Sequence, residues 1–250
     1  MTTRTPTSSA QLYARIGGVL YLIIILLGLY GEIFVRAKLI VAGNATATAQ
    51  KIVASELLFR SGVVGDLIMH VCDVPLILIF YVLLSPVSKD LSLLAAFLNL
   101  VQTAILAANK LNLVTVLLLL KGTHYLNPFE PHQVQALASL SLALHEYGFG
   151  IGLIFFGVRC LVVGYLIFRS GYFPKTLGVL QVIAGLCYVN NTLALLLAPT
   201  IAAKMFPAIL LPAFVGELSM CLWLLAKGVN ASKWEERARN DWPNRDTRSL

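Results

Sequence analysis

The sequence predicts an all-α polytopic membrane protein: a bundle of six transmembrane helices with a short extracytoplasmic surface helix. Hydrophobic residues make up 58% of its 250 positions and charged residues only 12%, whereas charged residues make up about 25% of a soluble domain. The mean hydropathy is +0.81. The apolar residues are also concentrated in segments of about 20 residues or more, the length that an α-helix needs to cross a bilayer.

Six segments have this length and apolar character. They are Tyr13–Val35, Gly62–Leu84, Leu91–Leu120, Val134–Phe168, Leu177–Ala198 and Ala208–Ala226. The third and fourth are longer than a bilayer requires, so we expect them to tilt or to extend beyond the lipid. Short segments with Pro and Gly lie between most of the spans, and these residues favour loops. The predicted loops are residues 85–90, 121–132, 169–175 and 198–207.

The first span follows a basic N-terminal segment, as the apolar region of a signal peptide does. No small-residue cleavage motif follows it, and Glu32 and Arg36 interrupt its end. We interpret it as a retained first span.

The segment between the first two spans, residues 36–60, is too polar to cross a membrane. Thr46 or Thr48 can cap a helix that continues through Ala49–Leu58, because a threonine side chain accepts hydrogen bonds from the N–H groups of a first helical turn. The sequence therefore predicts a short surface helix within residues 46–59.

Residues 1–226 form the predicted transmembrane domain, and residues 227–250 form a polar cytoplasmic tail. The tail mixes charges of both signs with few apolar residues, a composition that favours disorder.

Lys and Arg accumulate on the cytoplasmic side of transmembrane helices. With the N-terminus inside, eleven of them lie on the inner side and six on the outer side, so we expect both termini in the cytoplasm.

Polar residues inside the second span provide the main functional clue. Asp66, His70 and Asp73 fall within about two helical turns and project from one face of the helix. Pro75 removes a backbone hydrogen bond and frees the carbonyl of Val71 beside them. Ionisable side chains within a membrane are rare and face the bundle interior. The second span is therefore predicted to line a polar site.

The other spans carry polar residues at a similar expected depth, counted at about 1.5 Å per residue. The predicted outward-facing pocket contains Glu32, Asp66, His70, Asp73, Asn109, Lys110, Asn112, His145, Glu146, Asn191 and Glu217. A lone buried ammonium is unstable, so we expect Lys110 to contact a carboxylate. The candidates by depth are Asp66, Asp73 and Glu146. Because the pocket holds five carboxylates, we expect at least one of them to keep a proton or to bind a cation.

Two classes of function find no support in the sequence. The four cysteines, Cys72, Cys160, Cys187 and Cys221, form no C-x-x-C pair, so neither a zinc site nor a disulfide framework is indicated. No basic cluster interleaved with aromatic residues suggests nucleic-acid binding. The net charge of +7 is explained by Lys and Arg at the membrane surface instead. The sequence does not determine whether a cofactor is bound.

Several segments together resemble one family. They are "ARIGGVLYL" (14–22), "VASELLFRSG" (53–62), "DVPLILIFYVLLSPV" (73–87), "FGIGLIFFGVRCLVVGYLIFRSGYFPKTLGVL" (149–180) and "PAFVGELSMCLWLLAKGVN" (212–230). Over nearly the whole chain the sequence is similar to an uncharacterised family of bacterial six-span integral membrane proteins, a domain of unknown function. The resemblance implies the fold and a location in the bacterial cytoplasmic (inner) membrane, and it transfers no activity.

Three functions remain open from the sequence. In the first, the pocket binds or transports a small polar or cationic solute with proton linkage. In the second, the protein is an intramembrane metal-dependent lipid hydrolase, with Asp66, His70 and Asp73 as the metal ligands. In the third, it is a non-catalytic regulatory or assembly protein. The lipid bilayer is the expected partner in each, and a homodimer would enlarge so small a bundle.

Overall fold

A computed structural model describes residues 6–122 and 126–241, and within these ranges every long regular element is a helix. The elements are α1 Pro6–Leu29, a π-helical segment Tyr30–Arg36, α2 Ala37–Leu39, α3 Ala45–Ala54, α4 Glu56–Leu84, α5 Lys89–Leu120, α6 Pro131–Ser170, α7 Lys175–Leu197, α8 Pro199–Met205, a 3₁₀ turn Ala208–Leu210, α9 Leu211–Ala226 and α10 Ala231–Asp241.

In the described ranges, six helical stretches are long and apolar enough to cross a membrane. They are Ser9–Leu39, Glu56–Leu84, Lys89–Leu120, Pro131–Ser170, Lys175–Leu197 and Ala208–Ala226. Each overlaps one predicted span, so the all-α, six-span fold is confirmed. Most stretches extend beyond the apolar segments because polar residues at their ends continue the helix; α4 begins at Glu56 rather than at Gly62. The chain is therefore a multi-pass membrane protein whose environment is a lipid bilayer.

The described residues divide into two compact units. Unit 1 comprises residues 6–22, 73–102 and 153–241, and unit 2 comprises residues 23–72, 103–122 and 126–152. Helices α1, α4, α5 and α6 each contribute a segment to both units, whereas α7 to α10 belong to unit 1 alone.

An apolar core fills unit 2. Its buried members are Val35, Leu39, Ile52, Phe59, Val63, Leu113, Val116, Leu117 and Ala138. The short helix α3 contributes Ile52 to this core, while its neighbour Val53 is exposed. The predicted surface helix is thus confirmed. It is α3, a part of unit 2 whose apolar side packs against this core.

The start of α3 differs from the prediction. Asn44, not Thr46 or Thr48, is the N-cap: its Oδ1 accepts a hydrogen bond of 2.8 Å from the backbone N–H of Ala47. Thr48 lies inside the helix, where its hydroxyl accepts a hydrogen bond of 2.9 Å from the N–H of Val41. The hydroxyl is therefore used to hold the preceding loop, and asparagine caps a helix at least as well as threonine does.

Two pairs of glycines bring α6 and α7 together in unit 1. A Cβ atom on Gly178 would lie 2.6 Å from the carbonyl oxygen of Gly164, and one on Gly185 would lie 2.6 Å from the carbonyl oxygen of Gly157. Without side chains at these four positions the two backbones meet directly, which is a common way for membrane helices to pack.

The tail and one loop are more ordered than predicted. Residues 231–241 form α10, whose first turn is capped by Asn230 Oδ1, 3.2 Å from the N–H of Lys233. Trp234 Nε1 donates a hydrogen bond of 3.0 Å to the carbonyl of Leu83, so this segment packs within unit 1. Residues 242–250 of the predicted tail lie outside the described residues.

The predicted loop at 198–207 contains α8, in which proline occupies the first helical position, where it is well tolerated.

Candidate functional site: a buried charge cluster in unit 2

Asp66 is the centre of a cluster of charged side chains in unit 2. It is completely buried in α4, and its Oδ2 accepts two hydrogen bonds of 2.8 Å each, from Lys110 Nζ and from Arg36 Nη1. Lys110 is itself only 3% exposed. The prediction that Lys110 contacts a carboxylate is therefore confirmed, and Asp66 is the partner.

Arg36 reaches Asp66 from a π-helical segment. Its Nε donates a second hydrogen bond, of 2.8 Å, to Glu32 Oε2 one turn earlier. The wider turn is visible in the backbone, where the N–H of Ala37 donates to the carbonyl of Glu32, five residues back. Such segments are rare and occur often at functional sites. Arg36 lies at the outer end of the first predicted span and is not among the predicted pocket residues.

His145 joins the cluster from α6. Its Nε2 lies 3.2 Å from Lys110 Nζ, and because an ammonium group only donates, Nε2 acts as the acceptor and a neutral ring carries its proton on Nδ1. Asn109 Nδ2 donates a hydrogen bond of 2.8 Å to the backbone carbonyl of His145. Asn112 Nδ2 donates in turn to Asn109 Oδ1, also at 2.8 Å. Gly148 leaves the space that the Asn109 side chain occupies.

Three polar atoms of this region are buried without a hydrogen-bond partner. They are Asp66 Oδ1 and both ring nitrogens of His70. His70 follows Asp66 by four residues in α4, so the two side chains lie on one face of the helix. Gly31 lets Asp66 Oδ1 approach its backbone closely, because a Cβ at Gly31 would lie 2.7 Å from this oxygen. Buried polar groups nearly always have partners, so three without any indicate a place for a further group.

The charges of the cluster balance. Glu32 and Asp66 carry two negative charges, and Arg36 and Lys110 carry two positive ones, all four linked by contacts of 2.8 Å. The sequence predicts five carboxylates in the pocket, but three of them, Asp73, Glu146 and Glu217, lie outside this cluster, and Arg36 joins it. The surplus of negative charge expected from the sequence is therefore absent from this cluster.

The apolar core of unit 2 adjoins the cluster along α4 and α5. Val63 precedes Asp66 by about one turn of α4, Leu113 follows Lys110 by about one turn of α5, and both are buried members of that core. Apolar side chains therefore lie about one turn from the charges on both helices, while Glu32 at the edge of the cluster is 58% exposed.

The remaining predicted pocket residues lie elsewhere. Glu146 belongs to unit 2, but its side chain is exposed, on the side of α6 away from the buried residue His145. Asp73, Asn191 and Glu217 belong to unit 1. There Asp73 Oδ2 accepts a hydrogen bond of 2.9 Å from Asn99 Nδ2, and Glu217 Oε1 accepts one of 3.6 Å from the thiol of Cys160. Asn191 is half-buried in α7.

A family model for a domain of unknown function, DUF4386, matches residues 16–228. The chain belongs to the DUF4386 family. It is also similar to an uncharacterized protein of Archaeoglobus fulgidus, with 29% identity over 171 residues, which cover 68% of this chain and 86% of the relative. No solved structure matches the chain. The resemblance to an uncharacterised family is therefore confirmed, and the comparisons add no activity to this DUF4386 member.

The proposed metal site of the hydrolase alternative is not assembled in this DUF4386 protein. In residues 6–122 and 126–241, no three His, Cys, Asp or Glu side chains come close enough together to hold a metal ion. Asp73 is engaged with Asn99, and Asp66 is engaged with two cations. The ligand set of Asp66, His70 and Asp73 therefore has no geometric support.

Proposed function

We propose that this DUF4386 protein binds a small polar or cationic solute at the buried charge cluster and moves it across the bilayer in exchange for a proton. The observation that carries the proposal is the unused hydrogen-bonding capacity of Asp66 Oδ1 and His70 inside a span. Intramembrane ionisable residues characteristically mark substrate paths and proton relays.

The chemistry of the unused atoms defines the solute. Asp66 Oδ1 accepts hydrogen bonds, so it suits an N–H or O–H donor or a cation, and a neutral His70 ring offers one donor and one acceptor. A proton on the second ring nitrogen of His70 would place a positive charge one helical turn from Asp66 Oδ1. Binding of a cationic solute at Asp66 and binding of a proton at His70 therefore oppose each other, which is the requirement for exchange.

Transport also requires that the site open alternately to the two sides of the membrane. Val63 and Leu113 are buried members of the apolar core, about one turn from Asp66 and Lys110, and they would have to separate for a solute to reach the charges between α4 and α5. The π-helical segment beside the cluster provides a place where α1 can change its register, since a π turn holds one residue more than an α turn.

We place the protein in the cell membrane with both termini in the cytoplasm. Six spans put the two ends on the same side, and the eleven-to-six distribution of Lys and Arg favours the inside. Helix α3 would then lie on the extracytoplasmic face.

Proton and solute movement can be tested in liposomes that contain the purified protein and an internal pH-sensitive dye. We expect some members of a panel of small amines, amino alcohols and monovalent cations to drive proton movement when added outside. Asp66→Asn should abolish the response, because it removes the charge and keeps the shape. Glu146→Gln is the matched control, since this carboxylate is exposed on α6, and it should respond as the parent does. A full response from Asp66→Asn would contradict the proposal.

The charge balance of the cluster favours a second candidate, a regulatory or assembly protein. A neutral quartet of Glu32, Arg36, Asp66 and Lys110 can fix helix packing with no ligand. If this is its role, no solute in the panel will move protons. Asp66→Asn will then alter only stability or the oligomeric state, including any homodimer, as measured by light scattering in detergent.

A further inference from the structure

Glu217 is a buried carboxyl group of unit 1 that the proposed transport function does not use. It lies on α9, in the middle of the span Ala208–Ala226, and is 6% exposed. Its Oε1 accepts a hydrogen bond of 3.6 Å from the thiol of Cys160, which is a weak donor. In the part of the chain that the structure describes, every ion pair involves other carboxyl groups. An ionised Glu217 would therefore be a buried charge without a salt bridge.

The charged groups deep inside unit 1 include one more carboxyl group than cations. Of the Asp, Glu, Lys and Arg residues described in that unit, only Asp73, Arg159 and Glu217 lie more than about two helical turns from the end of a span. Asp73 Oδ2 accepts a hydrogen bond of 2.9 Å from the amide of Asn99, a better donor than the thiol beside Glu217. Arg159 and an ionised Asp73 cancel in charge, so a proton on Glu217 leaves the interior of unit 1 neutral.

A buried acceptor beside α9 lacks a donor. Gln181 of α7 is 1% exposed, and its Oε1 has no hydrogen-bond partner among the described residues. Its Nε2 lies 3.5 Å from the carbonyl oxygen of Gly216, the residue before Glu217. The amide is thus held next to this turn of α9, with its oxygen unused.

A second unpartnered oxygen lies at the level of Glu217 on α1. These helices belong to the first and sixth spans, so they run antiparallel, and the thiol of Cys221 lies 3.6 Å from the carbonyl oxygen of Gly18. Tyr21 follows Gly18 by about one turn, and Glu217 precedes Cys221 by about one turn. Tyr21 is 4% exposed, and its hydroxyl has no partner in the described ranges.

We propose that Glu217 binds a proton and is a neutral carboxylic acid in this conformation, which gives unit 1 a proton-binding site separate from His70 in unit 2. A carboxylate only accepts hydrogen bonds, whereas a carboxylic acid also offers an O–H donor. One proton therefore removes the surplus negative charge and supplies a donor near the unused oxygens of Gln181 and Tyr21. The site needs no solute, so it does not depend on the proposed transport.

The other groups around Glu217 are consistent with a neutral acid. Burial of a charge is strongly unfavourable unless the charge is paired and hydrogen-bonded, and the helices around Glu217 offer it no such partner within the described residues. The ionisable groups that the contacts and charges place around it are Tyr21 of α1, Asp73 of α4, Arg159 and Cys160 of α6 and Cys221 of α9, while α7 presents the amide of Gln181.

Infrared spectroscopy of the purified full-length protein at neutral pH tests for the proton. A protonated carboxyl group absorbs at a higher frequency than carboxylates and amides do, and a detergent without ester groups leaves that region clear. We expect one such band in the parent protein and its loss in Glu217→Gln, which has nearly the shape of the protonated acid. Glu146→Gln, which removes an exposed carboxylate, is the matched control and should keep the band.

Isotope labelling gives a second measurement that needs no variant, in case Glu217→Gln does not fold. Glutamate labelled with carbon-13 in its side-chain carboxyl group should move the band to lower frequency, and labelled aspartate should leave it in place. Glu217 is the one buried glutamate among the described residues, so a shift with labelled glutamate supports it. Absence of the band in the parent, its persistence in Glu217→Gln or a shift with labelled aspartate would overturn the proposal.

Discussion

The two units hold their buried cations in opposite ways. In unit 2, Lys110 and Arg36 share one carboxylate oxygen of Asp66, and the charges cancel within the chain. In unit 1, Arg159 is placed between two phenyl rings and has no salt bridge within the described residues. The comparison teaches that burial alone does not define the role of an intramembrane charge. Lys110 and Arg36 are held by specific carboxylates, whereas Arg159 is held by the faces of two aromatic rings.

The largest expected effect comes from removing the central cation of unit 2. Lys110→Met keeps the length of the side chain but leaves Asp66 with Arg36 as its one cationic partner. We expect a loss of about 3–5 kcal/mol in the free energy of unfolding, as is typical when one partner of a buried ion pair is removed. Reversible unfolding in mixed micelles measures it. The double variant with Asp66→Asn should recover much of the loss, and a fully additive result would show that the two residues are not coupled.

A smaller effect is expected when the space next to Asp66 Oδ1 is filled. Gly31→Ala places a methyl group 2.7 Å from this oxygen, so the carboxylate or the π-helical segment must move. Overpacking of this kind reduces stability by about 1–3 kcal/mol. Gly28→Ala is the matched control, because its methyl group would meet only Met69 Sδ at an ordinary 3.5 Å. Equal stability of the two variants would show that the space at Gly31 is not restricted.

The cation of unit 1 should contribute less to stability than Lys110 does. Arg159→Met leaves no salt-bridged carboxylate without its partner, so it should lose mainly the buried aromatic contacts, about 2 kcal/mol. Unfolding under the same conditions as for Lys110→Met gives the comparison. A loss as large as that of Lys110→Met would mean that Arg159 is paired after all, and the contrast between the units would disappear.

The smallest effect is expected at the outer edge of the cluster. Glu32→Gln removes a carboxylate whose side chain is 58% exposed although it lies 2.8 Å from Arg36. Exposed ion pairs contribute about 0–1 kcal/mol, so its stability should stay close to that of the parent. A loss comparable to that of Lys110→Met would show that the pair is shielded by lipid and belongs to the buried part of the cluster.

Sequence reasoning found the spans because length and apolar content determine whether a helix can cross a bilayer, and it found the pairing of Lys110 because a lone buried ammonium is unstable. It could not choose the partner, since depth along a helix says nothing about direction around it. This is why Glu146 was grouped with His145: adjacent residues point about 100° apart, and only His145 faces inward.

Other differences have local causes. Arg36 is not among the predicted pocket residues because its backbone lies at the outer end of the first span, and depth along a helix does not show that its long side chain reaches Asp66. The helix α10 was taken for a disordered tail because composition does not reveal Asn230 as a cap or Leu83 as a hydrogen-bond partner for Trp234. Asp73 and Glu217 were expected beside Lys110, yet they belong to unit 1, with Asn99 and Cys160 as their contacts.

The glycines of α6 and α7 have a mechanical consequence. Gly157 and Gly164 are seven residues apart on α6, Gly178 and Gly185 are seven apart on α7, and each pair meets its counterpart through bare backbone. Seven residues is the interval after which two supercoiled helices return to the same relative orientation. The helices therefore touch at two successive points along one line, and rotation about either point would drive the other pair into collision or apart. This part of α6 and α7 should move as one rigid body, so flexing during any working cycle must come from other helices, with the π-helical end of the first span as the first candidate.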